Sequence, residues 1–302
     1  PSIVGSNVFN KLIYGSENIL SQSTLGTEES VSSITIDDMK NFYKKYFAPN
    51  LSTITIVGNI SEDGAVSDFQ SLEMKWEKKE VEFPEYPTPP KSQVASLYFV
   101  DFPDAKQSVI MIGNLAFRYT DDDYYPANVM NYKLGGNFNS YVNLILREEK
   151  GYTYGARTNF TGSLNPGYFI ASSNVRSNAT RESVQIFIDE MNKYREGIPE
   201  KDFEFTKNAL IKSNARGFET LNALLGMLNN IATYDLPFDY VKQREDIVRN
   251  MTIEGHKQLA RKYIDPNVMT YVVVGDAKTQ LDQLKQLGVG NPILVDREGN
   301  PL

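Results

Sequence analysis

The sequence contains no cysteine and a single histidine, His256, among its 302 residues. Without cysteine there is no disulfide, no thiolate zinc site and no cysteine nucleophile. One histidine cannot build a histidine-rich zinc centre, and any Ser-His-Asp triad would have to use that residue. Catalysis that depends on a cysteine or on several histidines is therefore excluded for this chain alone.

Long apolar runs and clustered basic residues are also absent. No stretch of about eighteen apolar residues occurs, so no segment is predicted to span a membrane. The net charge is -7 and no Lys/Arg block is present, which argues against nucleic acid as a partner. The lack of cysteine, together with many Asn, Lys and Tyr residues, suits a protein of a bacterial periplasm or cell envelope, with the cytoplasm as the alternative.

One segment of twenty-six residues occurs twice, 217 positions apart. TIDDMKNFYKKYFAPNLSTITIVGNI (residues 35–60) and TIEGHKQLARKYIDPNVMTYVVVGDA (residues 252–277) share ten identical positions without a gap. Each copy begins with a hydroxyl and an acidic residue suited to a helix N-terminus, and a Pro-Asn pair ends the helix. A β-branched run follows at residues 53–57 and 270–274. The repeated unit is therefore predicted to be helix, turn and strand.

The first copy has apolar side chains at helical spacing, which predicts one buried helix face. That face consists of Met39, Phe42, Tyr43, Tyr46 and Phe47. In the second copy His256 takes the position of Met39. We therefore expect His256 to be a half-buried packing residue and not a metal ligand.

The remaining pattern mixes strands with helices. Residues 94–102, 107–117 and 167–175 are predicted strands, and helices are predicted near 124–133, 181–195 and 199–234. This order predicts an α+β fold, a two-layer domain over residues 94–302 with a mixed, largely antiparallel sheet packed by helices.

Four prolines fall within residues 78–93, which predicts a semi-rigid linker. The period of the repeat then makes residues 1–77 the closing part of a preceding, similar domain that begins upstream of Pro1. We accordingly expect the chain to be a fragment of a longer protein.

The segment LGGNFNSYVNLILREEKGYTYGA, residues 134–156, offers the most distinctive chemistry. Asn137 or Asn139 is predicted to cap a helix that carries Arg147 in its last turn and ends at Gly151. The expected buried face of that helix consists of Phe138, Tyr141, Val142, Ile145 and Leu146.

A predicted strand, YTYGARTNF at residues 152–160, follows this helix. Simple alternation places Tyr154 with Tyr152 and Ala156, opposite Gly155 and Arg157. Arg147 and Tyr154 are therefore expected to converge across the helix-to-strand turn.

Two interpretations of Arg147 and Tyr154 follow from spacing alone. In the first, Arg147 compensates the helix dipole and Tyr154 packs in the core. In the second, the guanidinium and the phenol form a donor pair aimed at a carbonyl or developing oxyanion of a bound substrate.

Several motifs, taken in order, resemble the M16 family of zinc peptidases. They are LGTEESVSSITIDDMKNFYKKYFAPN followed by TITIVGN, then DAKQSVIMIG, LREEKGYTYG, ETLNALLGMLNNIATY and VVVGD. The resemblance implies tandem domains of similar fold in halves that close around an unfolded peptide. By motif position it also implies that Arg147 and Tyr154 bind substrate.

The zinc motif of that family, H-x-x-E-H with a further Glu, is missing from this sequence. The resemblance therefore implies no catalytic or metal-binding residue in this fragment, with zinc held by the parent protein or a partner subunit. Expected partners are a peptide substrate and either N-terminal M16 domains of the same chain or a zinc-bearing M16 subunit.

Two functional hypotheses follow. The leading one is the substrate-binding C-terminal portion of an M16-like zinc metalloendopeptidase that cleaves unfolded peptides in an enclosed chamber. The alternative is a non-catalytic M16-like subunit that pairs with a zinc-bearing subunit or acts as a scaffold. Under the leading hypothesis the fragment alone neither binds zinc tightly nor cleaves peptides.

Overall fold

The computed structural model describes residues 1–302 apart from the side chains of Glu73 and Ala215. The chain forms two compact units. The larger unit comprises Pro1–Gln22, Pro87–Ile211 and Arg244–Leu302, and the smaller comprises Ser23–Tyr86 and Lys212–Gln243. The division into residues 1–77, 78–93 and 94–302 stays a prediction.

The larger unit is built on one six-stranded sheet. Its strands are β1 (Ser96–Asp101), β2 (Gln107–Leu115), β3 (Thr153–Phe160), β4 (Tyr168–Arg176), β5 (Thr270–Gly275) and β6 (Ile293–Val295). They lie in the order β3-β4-β2-β5-β1-β6. The β3–β4, β4–β2 and β2–β5 pairs are antiparallel, whereas β5–β1 and β1–β6 are parallel. The predicted α+β class with a mixed, largely antiparallel sheet is confirmed.

The helices are connected by turns and extended chain. They are α1 (Ser2–Tyr14), α2 (Glu28–Ser33), α3 (Ile36–Tyr46), α4 (Glu62–Lys75), α5 (Tyr124–Asn131), α6 (Tyr141–Asn143), α7 (Thr180–Arg195), α8 (Glu200–Arg216), α9 (Leu221–Tyr234), α10 (Tyr240–Asn250), α11 (Ile253–Tyr263) and α12 (Ala277–Leu284). Two π-helical segments, Tyr132–Gly136 and Leu144–Glu149, follow α5 and α6. The helix predicted over 199–234 is instead two helices, because Thr220 caps α9 by accepting from the Ala223 N–H.

Both faces of the sheet bury apolar side chains. Helices α5, α7, α11 and α12 pack on one face around residues such as Phe99, Ile112 and Phe187. On the other face α1 buries Val8 and Phe9 against β2 and β5. Each large apolar side chain buried in this way contributes about 1.5–3 kcal/mol to the free energy of unfolding.

The second copy of the repeat folds as predicted. Helix α11 begins after Thr252, whose hydroxyl accepts from the Gly255 N–H. Strand β5 is buried along its whole length between β1 and β2. His256 is fully buried and not half-buried, with Nε2 3.2 Å from the Tyr194 hydroxyl. Its role is packing, as expected.

The first copy of the repeat departs from the prediction. Helix α3 forms and is capped reciprocally by Thr35 and Asp38, but residues 53–57 are not a strand. A strand needs a neighbour for its backbone N–H and C=O groups, and none of the described residues pairs with this run. Its sequence therefore suits a strand, but the described chain offers it no sheet to join.

The predicted buried face of α3 is also wrong. Met39, Phe42, Tyr43 and Phe47 are exposed, Met39 to 62%, and Tyr46 is half-buried. Apolar periodicity shows that a helix has one apolar side, but it does not provide the element that covers it.

Candidate functional site

A groove of about 720 Å³ lies over the β3–β4 edge of the sheet in the larger unit. The turn at residues 135–138 and Arg147 form one wall. Tyr154 and Arg157 on β3 line it, and Ser2 and Ser6 at the start of α1 bound the far side. The structure therefore brings Arg147 and Tyr154, the two residues predicted to converge, to a single groove.

The Gly135-Gly136 turn lies directly against β3. A Cβ atom on Gly135 would stand 2.3 Å from the backbone nitrogen and 2.3 Å from the hydroxyl oxygen of Thr158, so only glycine fits. Asn131 completes this contact, because its Nδ2 donates to the Thr158 C=O over 2.8 Å. The turn and the outer edge of β3 are thus held together by close packing and by a buried amide.

Asn143 connects three parts of the site. Its Nδ2 donates to the Phe138 C=O over 2.7 Å, and its Oδ1 accepts from the Ala156 N–H over 3.1 Å. Asn143 is on α6, the Phe138 carbonyl is in the turn, and Ala156 is on β3. The amide therefore fixes the helix that carries Arg147 relative to the strand that carries Tyr154.

The helix start differs from the prediction. Ser140, not Asn137 or Asn139, is the N-cap residue, and its side chain makes no capping hydrogen bond. Asn137 instead stabilises its own turn, since its Oδ1 accepts from the Asn139 N–H over 2.7 Å. Such local Asx turns compete with helix capping for the same side chain.

A second set of polar contacts supports this turn from the core side. Tyr141 donates to Asp202 over 2.6 Å, and Lys133 lies 3.6 Å from the same carboxylate. Lys133 also donates to the Asn139 C=O over 3.2 Å. Burial and the Asp202 hydrogen bond raise the pKa of Tyr141, so this phenol stays a donor at any physiological pH.

Arg147 lies on the π-helical segment that continues α6. Its guanidinium stacks over the Phe138 ring at 4.5 Å, and its Nε is 3.5 Å from Glu148. Phe138 was predicted to be buried but is 61% exposed, because it serves as a platform for Arg147 and not as a core residue. Gly151 ends the helix with φ 61°, as the sequence predicts.

Tyr154 does not follow simple alternation. The β3–β4 register shifts between Thr153 and Ala156, and the Thr153 hydroxyl accepts from the Gly155 N–H over 3.0 Å. Such a bulge re-aims the side chains beside it. Ala156 is buried, whereas Tyr154 is 91% exposed. The predicted grouping of Tyr154 with Ala156 is wrong, and so is the interpretation of Tyr154 as a core residue.

The floor of the groove is polar. Cross-strand pairing places Arg157 opposite Ser172 on β4, and Ser172 opposite Met111 on β2. Asn174 and Asn159 lie on the same face, and Asn174 donates to the Ser2 hydroxyl over 3.3 Å. Among the described lining residues the charged ones are Arg147 and Arg157, with no Asp or Glu. Alternation without the bulge separates Tyr154 from Arg157, so sequence reasoning missed Arg157.

The described residues do not form a zinc site. They contain no group of three His, Asp or Glu side chains arranged to hold a metal ion. His256 packs between Tyr194 and Phe203, and its Nδ1 is buried. In the same part of the chain, no helix has both the length and the apolar character needed to cross a bilayer.

Two bacterial relatives show the level of sequence similarity. "Non-peptidase homolog YmxG" of Helicobacter pylori is 23% identical over 269 residues, covering 86% of this chain and 60% of the relative. "Uncharacterized zinc protease YmxG" of Bacillus subtilis is 24% identical over 230 residues, covering 74% and 53%. The chain thus spans little more than half the length of these relatives.

Solved structures share the fold. The peptidase M16 inactive domain from Pseudomonas fluorescens matches with a TM-score of 0.82 and 23% identity, over 91% of this chain and 66% of that one. A chain of complex III2 from Candida albicans matches with a TM-score of 0.73 and 16% identity, over 95% and 69%. The periplasmic protease PqqL from Escherichia coli matches with a TM-score of 0.66 and 15% identity, over 91% and 30%.

A match to a protein-family model identifies the family to which the chain belongs. The model described as "Peptidase M16 inactive domain" matches residues 33–210, more than half of the chain. This chain therefore belongs to the peptidase M16 family, within the group described as its inactive domain.

Proposed function

We propose that this chain is the substrate-binding part of an M16-type zinc metallopeptidase that acts on unfolded peptides. The groove over β3 and β4 holds an extended peptide segment. Arg147 and Tyr154 donate hydrogen bonds to its backbone carbonyls. Zinc and the groups that activate water belong to another M16 domain or to a partner subunit, because the described residues do not fit a metal.

The observation that carries this proposal is that two free donors line one groove. Among the described residues the Tyr154 hydroxyl has no hydrogen-bond partner, and Arg147 has only a stacked ring and a loose contact with its neighbour Glu148. An unfolded peptide presents carbonyl groups that lack partners. A hydrogen bond from a charged donor to such a group contributes about 1.5–3 kcal/mol.

The charge of the groove also suits this role. A chain with a net charge of -7 places two arginines and no carboxylate among the described residues that line this groove. Two relatives are named zinc proteases, and the Escherichia coli structural neighbour is named a periplasmic protease. These names support proteolysis as the process that the groove serves.

A non-catalytic subunit is the second candidate. It is favoured by the name of the Helicobacter pylori relative, a non-peptidase homologue, and by the structural match to a chain of complex III2. A scaffold has no need of two unpartnered donors in one groove. Binding of peptide through Arg147 and Tyr154 therefore separates the two candidates.

The test is fluorescence anisotropy of a labelled peptide that is unstructured by circular dichroism, titrated with the 302-residue chain. We expect Arg147→Ala to weaken binding about tenfold or more and Tyr154→Phe about two- to tenfold. Arg181→Ala and Tyr152→Phe are matched controls. Arg181 is exposed on α7, and the Tyr152 hydroxyl donates to Glu182 over 2.6 Å, outside the groove lining.

If Arg147→Ala, Tyr154→Phe and both control variants bind the peptide equally well, Arg147 and Tyr154 do not belong to the peptide-binding site. The purified chain is also expected not to cleave a fluorogenic peptide, with or without added zinc. Cleavage that depends on zinc and stops with a chelator would show that the chain contains a metal site of its own, contrary to the proposal.

A further inference from the structure

Arg157 is the charged residue of the groove that the proposed function leaves unused. It is exposed on β3 and lines the groove. No carboxylate of the described chain lies within 4.0 Å of its guanidinium, and no ring stacks on it, unlike Arg147 with Phe138 and Arg195 with Asp265. An arginine with no counter-ion in an acidic protein has its donors available for a ligand.

The side chains around Arg157 are hydrogen-bond donors of the kind that bind a carboxylate group. Ser172 lies directly across from it on β4, and the amide-bearing side chains Asn159 and Asn174 lie on the same face of the sheet. Guanidinium, amide and hydroxyl groups all donate hydrogen bonds, and a carboxylate accepts several at once. The described lining contains no Asp or Glu that would repel such a group.

We infer that Arg157, with Asn159, Ser172 and Asn174, forms a subsite for an acidic side chain or terminal carboxylate of the bound peptide. The inference rests on the proposed function, since it extends the same groove. It assigns a substrate class: unfolded peptides with a carboxylate at a fixed distance from the residue held by Arg147 and Tyr154.

The strand geometry sets that distance. Tyr154 and Arg157 are three positions apart on β3, but the register shift means that the step from Thr153 to Ala156 spans only two positions of β4. At about 3.3 Å per residue, Tyr154 and Arg157 therefore lie about 7–10 Å apart along the strand. An extended peptide covers this span in about two or three residues. The carboxylate is therefore expected about two or three residues from the carbonyl that Arg147 and Tyr154 bind, and peptides that carry it elsewhere should gain less.

The experiment compares fluorescein-labelled, unstructured peptides that differ only by Glu or Gln at one position, with that position moved along the peptide. For the wild-type chain we expect the Glu form to bind about three- to tenfold more tightly at one position, and less so in high salt. Arg157→Gln should abolish this preference, while Arg157→Lys should keep part of it. Arg181→Gln removes the same charge outside the groove and should leave the preference intact.

The outcomes separate the two claims. If the wild-type chain binds neither peptide form, the proposed function fails. If it binds Glu and Gln forms equally at every position, only the carboxylate subsite fails. A preference that survives in Arg157→Gln and vanishes in Arg181→Gln would show general charge attraction, and would likewise overturn the subsite.

Discussion

Replacement of Gly135 by alanine is expected to lower the free energy of unfolding of the larger unit by about 3 kcal/mol and to abolish peptide binding. The new Cβ would meet the Thr158 backbone nitrogen at 2.3 Å, a distance that no side-chain rotation relieves. The chain must then move β3 away from the turn. That movement separates Tyr154 from Arg147, so stability and binding should fall together.

Gly155→Ala is the matched control for this variant. Gly155 is also on β3 and also lines the groove, but its nearest neighbour to an added Cβ is the Asn143 Oδ1 at 3.9 Å. The free energy of unfolding of the Gly155→Ala variant should differ from that of the wild type by no more than about 0.5 kcal/mol. Urea unfolding followed by circular dichroism measures both variants, and equal stability of Gly135→Ala and wild type would refute the packing of the turn on β3.

Acidification is expected to destabilise the protein through His256. Burial lowers the pKa of this residue from 6.5 to about 4, so the folded chain keeps the imidazole neutral. In the unfolded chain the imidazole binds a proton below about pH 6.5. Between about pH 6.5 and pH 4 the unfolded state therefore gains a proton that the folded state cannot bind, which lowers the free energy of unfolding by up to about 3 kcal/mol.

His256→Met isolates this effect, because methionine occupies the corresponding position of the first repeat copy and does not titrate. The carboxylates of the chain titrate in both proteins and cancel in the comparison. Loss of the contact with Tyr194 should change the unfolding free energy of the variant by the same amount at every pH. The decisive measurement is the difference in unfolding free energy between the two proteins at pH 7 and pH 4.5, and parallel curves would show that His256 is not buried in its neutral form.

The repeat shows how far sequence predicts this fold. Local signals sufficed for α11 and α3, because hydroxyl caps, apolar periodicity and a Pro-Asn end are encoded within each segment. They did not suffice for residues 53–57, since a strand depends on partners far away in the chain. Nor did they predict that Met39 and Phe42 would be exposed while His256 is buried.

Only part of the site could be predicted from the sequence, because its geometry also depends on contacts with distant parts of the chain. The spacing of Arg147 and Tyr154 predicted that the two residues converge, and both line the same groove. Their surroundings depend on a bulge at Thr153, on a ring under Arg147 and on the fit of Gly135 against Thr158. None of these has a local sequence signature, because each depends on which backbone approaches from another element.

The side chains of Asn143 and Asn131 cover part of the outer edge of β3, and this limits how another chain can pair with the sheet. The Ala156 N–H and the Thr158 C=O, which point away from β4, are already bonded to Asn143 and Asn131. At these two positions another strand cannot pair with β3, which protects this part of the edge from edge-to-edge aggregation. We therefore expect a peptide bound in the proposed groove to be held through side chains and not to be added to the sheet as a seventh strand.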